Sequence, residues 1–331
     1  MRVIDPAVTG FPLELERYDL SLESRRTTGN AIVHEAAAAM RRHGIGLKSA
    51  TVTPDEAGDV GSPNALLREA IDGRVIIRTG RRLPGVRPIG GIHAPISVVR
   101  MAVDDAYGAK EYREGEGDAE TAWRLEHISR RTAKKVAQVS FEQARKLDAT
   151  VMGGPKWTVS PIYEGMFKEE LDACAQRNPD VRYRPLLIDA LLAALIGHTG
   201  DALVVPTLNR DGDLVSDMVL QLFGSIAGSE SLLLSFGEDL RPVVAMAEAP
   251  HGTAPTLEGK DIANPLAMIL AAASVLPYID DPTAARVSRA IYEASLEAVA
   301  EDVRTADLGG QHGTVAFTDE VIKRVRAKLD V

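Results

Sequence analysis

Helix-period and strand-period apolar segments alternate along the whole chain, and that alternation commits it to a sheet covered by helices, an α/β or α+β fold. Apolar positions recur at helical spacing in 30–43, 132–147, 164–175, 185–196, 284–302 and 318–329, which predicts a helix over each. Short β-branched runs at 74–78, 96–103, 149–152, 202–207 and 243–246 predict strands between them. The 331 residues amount to about two domains by the usual size prior. No solenoid-type repeat and no low-complexity tract interrupts them.

Composition narrows the class. Hydrophobic residues make up 45% and charged ones 26%, enough for a buried core and too apolar for a disordered chain. Acidic residues outnumber basic ones by 47 to 38, for a net charge of −9, which argues against non-specific binding to nucleic acid or anionic membranes. A local basic cleft remains compatible with that total. A lone cysteine, Cys174, excludes an internal disulfide and a cysteine zinc site. The longest apolar stretch, 265–279, is short of the ~20 residues that span a bilayer. Residues 1–6 lack the apolar run of a signal peptide, so a soluble cytoplasmic protein is expected. The polar segment 111–120 reads either as a solvated loop or as an arm between domains or subunits.

Several residues could carry chemistry. Ser62-Pro63-Asn64 suits the start of a helix, with Ser62 as N-cap and Pro63 in the first turn. Such an N-terminus seats a carboxylate, and Ser62 and Asn64 could add donors, with Arg68 further along. Alone, the segment reads more simply as an ordinary cap and a surface arginine. Arg78 and Arg100 change the balance. Arg100 stands within the apolar run Ile-Ser-Val-Val-Arg-Met-Ala-Val, where a guanidinium is costly unless an anion meets it. Three arginines would suit a di- or tricarboxylic acid, since each binds a carboxylate bidentately. Tyr107 follows near the end of that strand.

The acidic counterpart lies downstream. After the strand at 202–207, Arg210-Asp211-Gly212 is expected to turn and Asp213 to open a helix that carries Asp217 on the same face. Two such carboxylates can seat Mg²⁺ or Mn²⁺, or simply compensate a helix dipole. Asp189 in Leu-Leu-Ile-Asp-Ala-Leu-Leu supports the metal reading, because an unpaired carboxylate there would be costly. Lys156 follows the turn Gly153-Gly154-Pro155 and is either a surface lysine or a base with a lowered pKa. The small-residue loop at 249–255, with His251, could cradle a nucleotide.

Taken together these motifs resemble the β-hydroxyacid oxidative decarboxylases, the isocitrate, isopropylmalate and homoisocitrate dehydrogenases. The resemblance is carried by Asn-Arg-Asp-Gly-Asp-Leu-Val-Ser-Asp at 209–217, Ala-Pro-His-Gly-Thr-Ala-Pro at 249–255, Ile-Ala-Asn-Pro at 262–265 and Asp-Leu-Gly-Gly at 307–310. Residues 18–20, 48–56 and 62–64 are most similar to the isocitrate dehydrogenases. The implied fold is that family's own α/β architecture, without the Gly-x-Gly-x-x-Gly of a Rossmann domain. It implies a large nucleotide-side domain of 1–71 with 224–331, and a small domain of 72–223 that includes the dimer interface and a clasp or arm at about 109–130.

The resemblance also assigns roles. Arg68, Arg78 and Arg100 would hold substrate carboxylates, with Ser62 and Asn64 on the γ-carboxylate. Asp189, Asp213 and Asp217 would bind Mg²⁺ or Mn²⁺. Thr53, His251, Gly252, Thr253, Ala254, Thr256, Leu257 and Asn264 would bind NAD or NADP. Lys156 would take the hydroxyl proton, hydride would pass to the nicotinamide, CO₂ would leave, and Tyr107 would protonate C3. Lys156 and Asp189 match residues that reach the neighbouring subunit's site, so a homodimer is implied.

Three departures stand out. The family opens with a strand and a Gly-Asp-Gly turn, whereas Met1-Arg2-Val3-Ile4 resembles the helix after it; either the start is assigned late or the sheet lacks a strand. Trp157 stands where the family has asparagine, which points to a substrate other than isocitrate, such as a phosphonomethyl malate. Thr256-Leu257 selects neither NAD nor NADP; the absence of an evident phosphate-binding cluster leans to NAD. A reading from another class is a non-catalytic regulatory subunit of a heteromeric isocitrate dehydrogenase.

Overall fold

Six consecutive buried residues, Ile96–Met101, form a central strand of an eight-stranded sheet. A strand buried on both faces reads as a near-continuous apolar run, here interrupted by the buried Ser97 and Arg100. The structure, a computed structural model, describes residues 1–331 apart from Asp55, Ala57 and Leu240.

In chain order the strands are β1 (Ile45–Lys48), β2 (Gly73–Gly80), β3 (Ile96–Met101), β4 (Lys110–Glu114), β5 (Thr121–Leu125), β6 (Thr150–Met152), β7 (Tyr183–Arg184), β8 (Leu203–Thr207), β9 (Ser231–Phe236) and β10 (Pro242–Glu248). The large sheet runs β1-β10-β9-β2-β3-β8-β6-β7. It is mixed: β10, β9, β2 and β3 pair antiparallel, whereas β1 with β10, β3 with β8, β8 with β6 and β6 with β7 are parallel. The helices are α1 (Pro6–Thr9), α2 (Leu22–Thr28), α3 (Ala31–His43), α4 (Pro63–Ala70), α5 (Arg130–Leu147), α6 (Tyr163–Arg177), α7 (Ile188–Ile196), α8 (Asn209–Leu222), α9 (Leu266–Val275), α10 (Pro282–Ala300) and α11 (Thr314–Leu329).

Sheet register places the arginines. Arg78 lies opposite Val98, and Val98 is two residues from Arg100. Side chains two apart share a face, so Arg78 and Arg100 project from the same side of the sheet. On that side Ile76 packs with Val33 of α3 and Leu67 of α4, and Val98 packs with Val215 and Val219 of α8. The opposite side is closed by α5 and α9, where Val75 and Val99 meet Val136, Phe141 and Ala271. Each such aliphatic side chain contributes about 1.5–3 kcal/mol by leaving water. A further apolar cluster joins Val3 and Ile4 to α9, α10 and α11. Among the described residues no helix is long and apolar enough to cross a membrane.

The structure corrects several expectations. Residues 210–212 do not turn before a helix at Asp213; they form the first turn of α8, which begins at Asn209. The reason is a cap supplied from far away in sequence, since Asp105 Oδ2 accepts the Arg210 N–H at 2.7 Å. Residues 2–9 make a 3₁₀ turn and a single α turn that ends at Gly10 in the left-handed region, not a full opening helix. The helix expected from residue 185 starts at Ile188. β1, β9 and α9 were not anticipated as elements. The 111–120 segment is the tip of a hairpin in which β4 and β5 pair antiparallel with every strand residue exposed. Tyr112 stacks on Trp123 across it, with ring centroids 6.2 Å apart.

Candidate active site

Arg100 lies near the end of β3, 2% exposed, and directs its guanidinium at the start of α8. Its Nε donates to Asn209 Oδ1 at 3.0 Å, and its Nη1 pairs with Asp213 Oδ1. Gly212 makes this passage possible, because a Cβ there would collide with Thr207 and the Arg100 side chain. Arg78 donates from Nη1 to Asp217 Oδ1 and Ser216 Oγ, each at 3.0 Å, and from Nε to Ser231 Oγ at 3.2 Å. Tyr107 donates its phenol to Asp213 Oδ2 at 2.6 Å, and its ring lies under Arg100, 5.3 Å from the guanidinium carbon. Arg68 reaches from α4 to the Ala102 carbonyl at 3.4 Å.

Five predicted residues thus form one cluster: Arg100, Asp213 and Tyr107 are hydrogen-bonded together, Arg78 is bonded to Asp217, and an Arg78–Asp213 ion pair at 3.9 Å joins the two groups, with Arg68 beside them. Burial, joined by the charge of Arg100, pushes the Arg68 pKa down to about 10. Burial also lowers Arg100, only partly offset by Asp213. Burial works against the Asp213 carboxylate, yet Arg100, Tyr107 and Arg78 hold its pKa below the usual carboxylate range. Asp217 differs: burial raises its pKa, and Arg78 does not fully compensate. Positive charge is therefore concentrated around Arg68, the one arginine of the three with no carboxylate partner within ion-pair distance among the described residues. An anion would relieve this.

Ser62 occupies the N-cap position of α4 with Pro63 in the first turn, but its hydroxyl makes no capping bond. The Oδ1 of Asn64 is buried without a hydrogen-bond partner among the described residues. The Ser62 hydroxyl is thus left to meet a ligand near the start of the helix that carries Arg68.

Lys156 and Asp189 lie apart from this cluster and pair with each other, Nζ to Oδ2 at 2.5 Å. The Lys156 pairing, aided by nearby backbone, lowers the Asp189 pKa. Asp189 is not brought to Asp213 and Asp217. Among the described residues no three His, Cys, Asp or Glu side chains stand close enough to hold a metal ion. Asp213 and Asp217 nonetheless offer an all-oxygen pair from adjacent turns of one helix, the donor type that Mg²⁺ and Mn²⁺ accept, and lack further ligands. The turn bearing Lys156 is fastened by Glu164, whose Oε2 accepts the Lys156 N–H. Trp157 is half-buried, with Lys168 Nζ 5.0 Å from its ring.

The residues matched to nucleotide binding lie on loops. Thr53, His251, Gly252, Thr253, Ala254 and Thr256 are exposed, and Leu257 and Asn264 are half-buried. Ala254 takes a left-handed backbone, φ 42°. Asn264 donates to Asp307 Oδ2 at 2.9 Å and accepts the Leu266 N–H at 2.9 Å, which links the Ile-Ala-Asn-Pro motif to the Asp-Leu-Gly-Gly motif. Arg25, which the sequence reading passed over, is fully buried and donates to the carbonyls of Leu20, Gly61 and Val52. It therefore ties α2 to the segment carrying Thr53 and Ser62. Asp105 was also missed. Its only sequence signal was an acidic pair, Asp104-Asp105, directly after an apolar strand.

The chain is similar to known proteins over nearly its whole length. The isocitrate/isopropylmalate dehydrogenase profile matches residues 1–325. The mitochondrial isocitrate dehydrogenase [NAD] catalytic subunit 5 of Arabidopsis thaliana is 29% identical over 316 residues, covering 94% of this chain and 80% of its own. The isocitrate dehydrogenase [NADP] of Thermus thermophilus is 27% identical over 330 residues, covering 98% of this chain, which spans 64% of that enzyme's length. The crystal structure of isocitrate dehydrogenase from Methylococcus capsulatus superposes with a TM-score of 0.82 at 24% identity, over 97% of this chain and 93% of that one. The profile, matching nearly the whole chain, shows that the chain belongs to the isocitrate/isopropylmalate dehydrogenase family.

Proposed function

We propose that the protein catalyses the NAD(P)-dependent, divalent-metal-dependent oxidative decarboxylation of an isocitrate-like 2-hydroxy-3-carboxy acid to a 2-oxo acid and CO₂. The observation that carries this reading is the interlocked cluster of Arg78, Arg100, Tyr107, Asp213 and Asp217. Without ligand, its arginines and aspartates neutralise one another. A polyanionic acid would take Arg68, Arg78 and Arg100, with Ser62 and Asn64 extending the set toward a further acidic group. The two aspartates are then released to hold Mg²⁺ or Mn²⁺. When bound there, the cation supplies Lewis acidity toward the substrate hydroxyl and charge stabilisation as CO₂ departs.

Tyr107 donates its phenolic proton to the carbon that loses CO₂. Lys156, held against Asp189, is the base for the hydroxyl proton. Lys156 and Asp189 lie apart from the cluster in a single chain, so the reading includes a homodimer in which each chain lends this pair to its partner. The division into 1–71 with 224–331 on the nucleotide side and 72–223 on the substrate and dimer side goes with it, with the exposed β4–β5 hairpin as the arm. The 251–257 loop, Thr53 and Asn264 serve the adenosine half of the dinucleotide. The relatives named above differ in using NAD or NADP, so both cofactors belong to the proposal; none of them points to a phosphonate. Cytoplasmic location accompanies the reading, although the Arabidopsis relative is mitochondrial by name.

The test is a panel of 3-substituted malates, isocitrate and isopropylmalate included, assayed with NAD⁺ and NADP⁺ and with Mg²⁺ and Mn²⁺, following nicotinamide reduction by the purified homo-oligomer. Turnover of at least one acid is expected. Silence until a second, different subunit is added would identify a regulatory chain instead.

A further inference from the structure

Asp105 is 5% exposed and lies outside the cluster that would touch substrate, yet it is bonded to three separate elements. Its Oδ2 accepts the Arg210 N–H in the first turn of α8 at 2.7 Å. Its Oδ1 accepts the Tyr163 hydroxyl at the start of α6 at 2.9 Å. Its own N–H donates to the His127 carbonyl, just past the arm, at 2.9 Å. The backbone is unusual here as well: Asp104 and Asp105 both take left-handed conformations, φ 60° and 62°. Consecutive non-glycine residues in that region persist only where their surroundings over-determine them. The surroundings are these bonds, with a further one from Asn209 Nδ2 to the Asp104 carbonyl at 3.0 Å.

Each contact leads to a residue of the proposed reaction. Tyr107 is two residues beyond Asp105. Asp213 lies one helical turn beyond Arg210, and Asn209 also holds the Nε of Arg100. Tyr163 is followed by Glu164, whose carboxylate fastens the backbone of Lys156. We infer that Asp105 is a positioning residue that sets the Tyr107 loop in register with α8 and, through Tyr163, couples this half-site to the turn carrying Lys156. The inference rests on the proposed decarboxylating reaction and adds to it a link, within one chain, between the Tyr107 of its own site and the Lys156 it lends to its partner's. A carboxylate is suited to the task because it is an acceptor on both oxygens and meets two donors; an amide would turn its own N–H₂ toward one of them.

Asp105→Asn and Tyr163→Phe in the full-length homo-oligomer test this. Wild-type turnover in the same assay reports on the proposed reaction separately. Losing a buried hydrogen bond of this kind corresponds to about a ten- to hundredfold fall in kcat for Asp105→Asn, and about three- to tenfold for Tyr163→Phe. The KM for the hydroxy acid should change less than about threefold, because the three arginines are untouched. Amide hydrogen exchange should accelerate in 104–108 and 209–213 in Asp105→Asn, and in 104–108 in Tyr163→Phe. If Asp105→Asn does not fold, Tyr163→Phe decides. A kcat within about twofold of wild type, or a loss confined to thermal stability with exchange in these segments unchanged, overturns the inference. If wild type turns over no hydroxy acid, the proposed reaction fails, and the exchange measurement alone judges Asp105.

Discussion

The phenol of Tyr107 donates to Asp213 at 2.6 Å while Arg100 holds the other oxygen of the same carboxylate. A would-be proton donor and a would-be metal ligand therefore share one anchor. Burial opposes the charge, but Arg100 and Tyr107, with the charge of Arg78 beyond them, outweigh it and hold the Asp213 pKa below the ordinary carboxylate range.

Asp213→Asn and Asp217→Asn should each lower metal-dependent turnover by roughly two orders of magnitude or more. Asp217→Asn should leave the melting temperature little changed, whereas Asp213→Asn should lower it, because buried Arg100 loses its carboxylate. Both carboxylates lie on a solvent-reached face of α8, with side chains 39% and 59% exposed. Titration of the variants with Mn²⁺ should show weakened binding. Unchanged activity and unchanged Mn²⁺ affinity in both would remove the metal assignment.

Arg100→Lys should raise the substrate KM by about tenfold or more, since an ammonium cannot reproduce the planar fork. It should also destabilise the fold, because Asn209 and Asp213 lose a shared donor. Steady-state kinetics matching wild type would leave Arg100 a structural residue.

Trp157 bears on substrate choice. Its indole lies under Lys168, whose Nζ is 5.0 Å from the ring centroid, and it brings apolar bulk directly beside Lys156. Isocitrate is expected to be a poor substrate, and Trp157→Asn should raise kcat/KM for isocitrate by about one to two orders of magnitude. An efficient wild-type reaction with isocitrate, unimproved by the substitution, would show that Trp157 is a tolerated variation.

Glu164 gives a pH-dependent stability. Burial, reinforced by Asp211 and Asp105, raises its pKa above the ordinary 4.5 despite the Lys156 N–H. The folded protein thus holds the proton more tightly than the unfolded chain, so stability is lost as pH rises through the shifted value. Glu164→Gln, which keeps an acceptor for Lys156, should melt higher than wild type at neutral pH, with the gap closing near about pH 4. A gap that is constant with pH would contradict the shift.

Much of this was legible in the sequence, for identifiable reasons. β3 and β8 are buried on both faces and announce themselves as apolar runs, and an arginine inside one of them has to meet an anion. β9 was missed because serines at Ser231 and Ser235 break its apolar pattern. The start of α8 was misplaced because its cap, Asp105, is over a hundred residues away in the chain, and no local pattern encodes that. The arginines, Tyr107 and the Asp213–Asp217 pair were found by residue type and came together. Asp105, Asn209 and Arg25 were not, since their work is to hold other residues, and only the folded geometry records it.

The central claim is that oxidation and decarboxylation occur together at the cluster. The direct measurement is the ratio of CO₂ released to nicotinamide reduced by the purified homo-oligomer on its best hydroxy acid, with Mn²⁺ present, removed by chelation and restored. Equal amounts of the two products, abolished by chelation and recovered with Mn²⁺, are predicted. Nicotinamide reduction without CO₂, or no turnover of any hydroxy acid, would contradict the account.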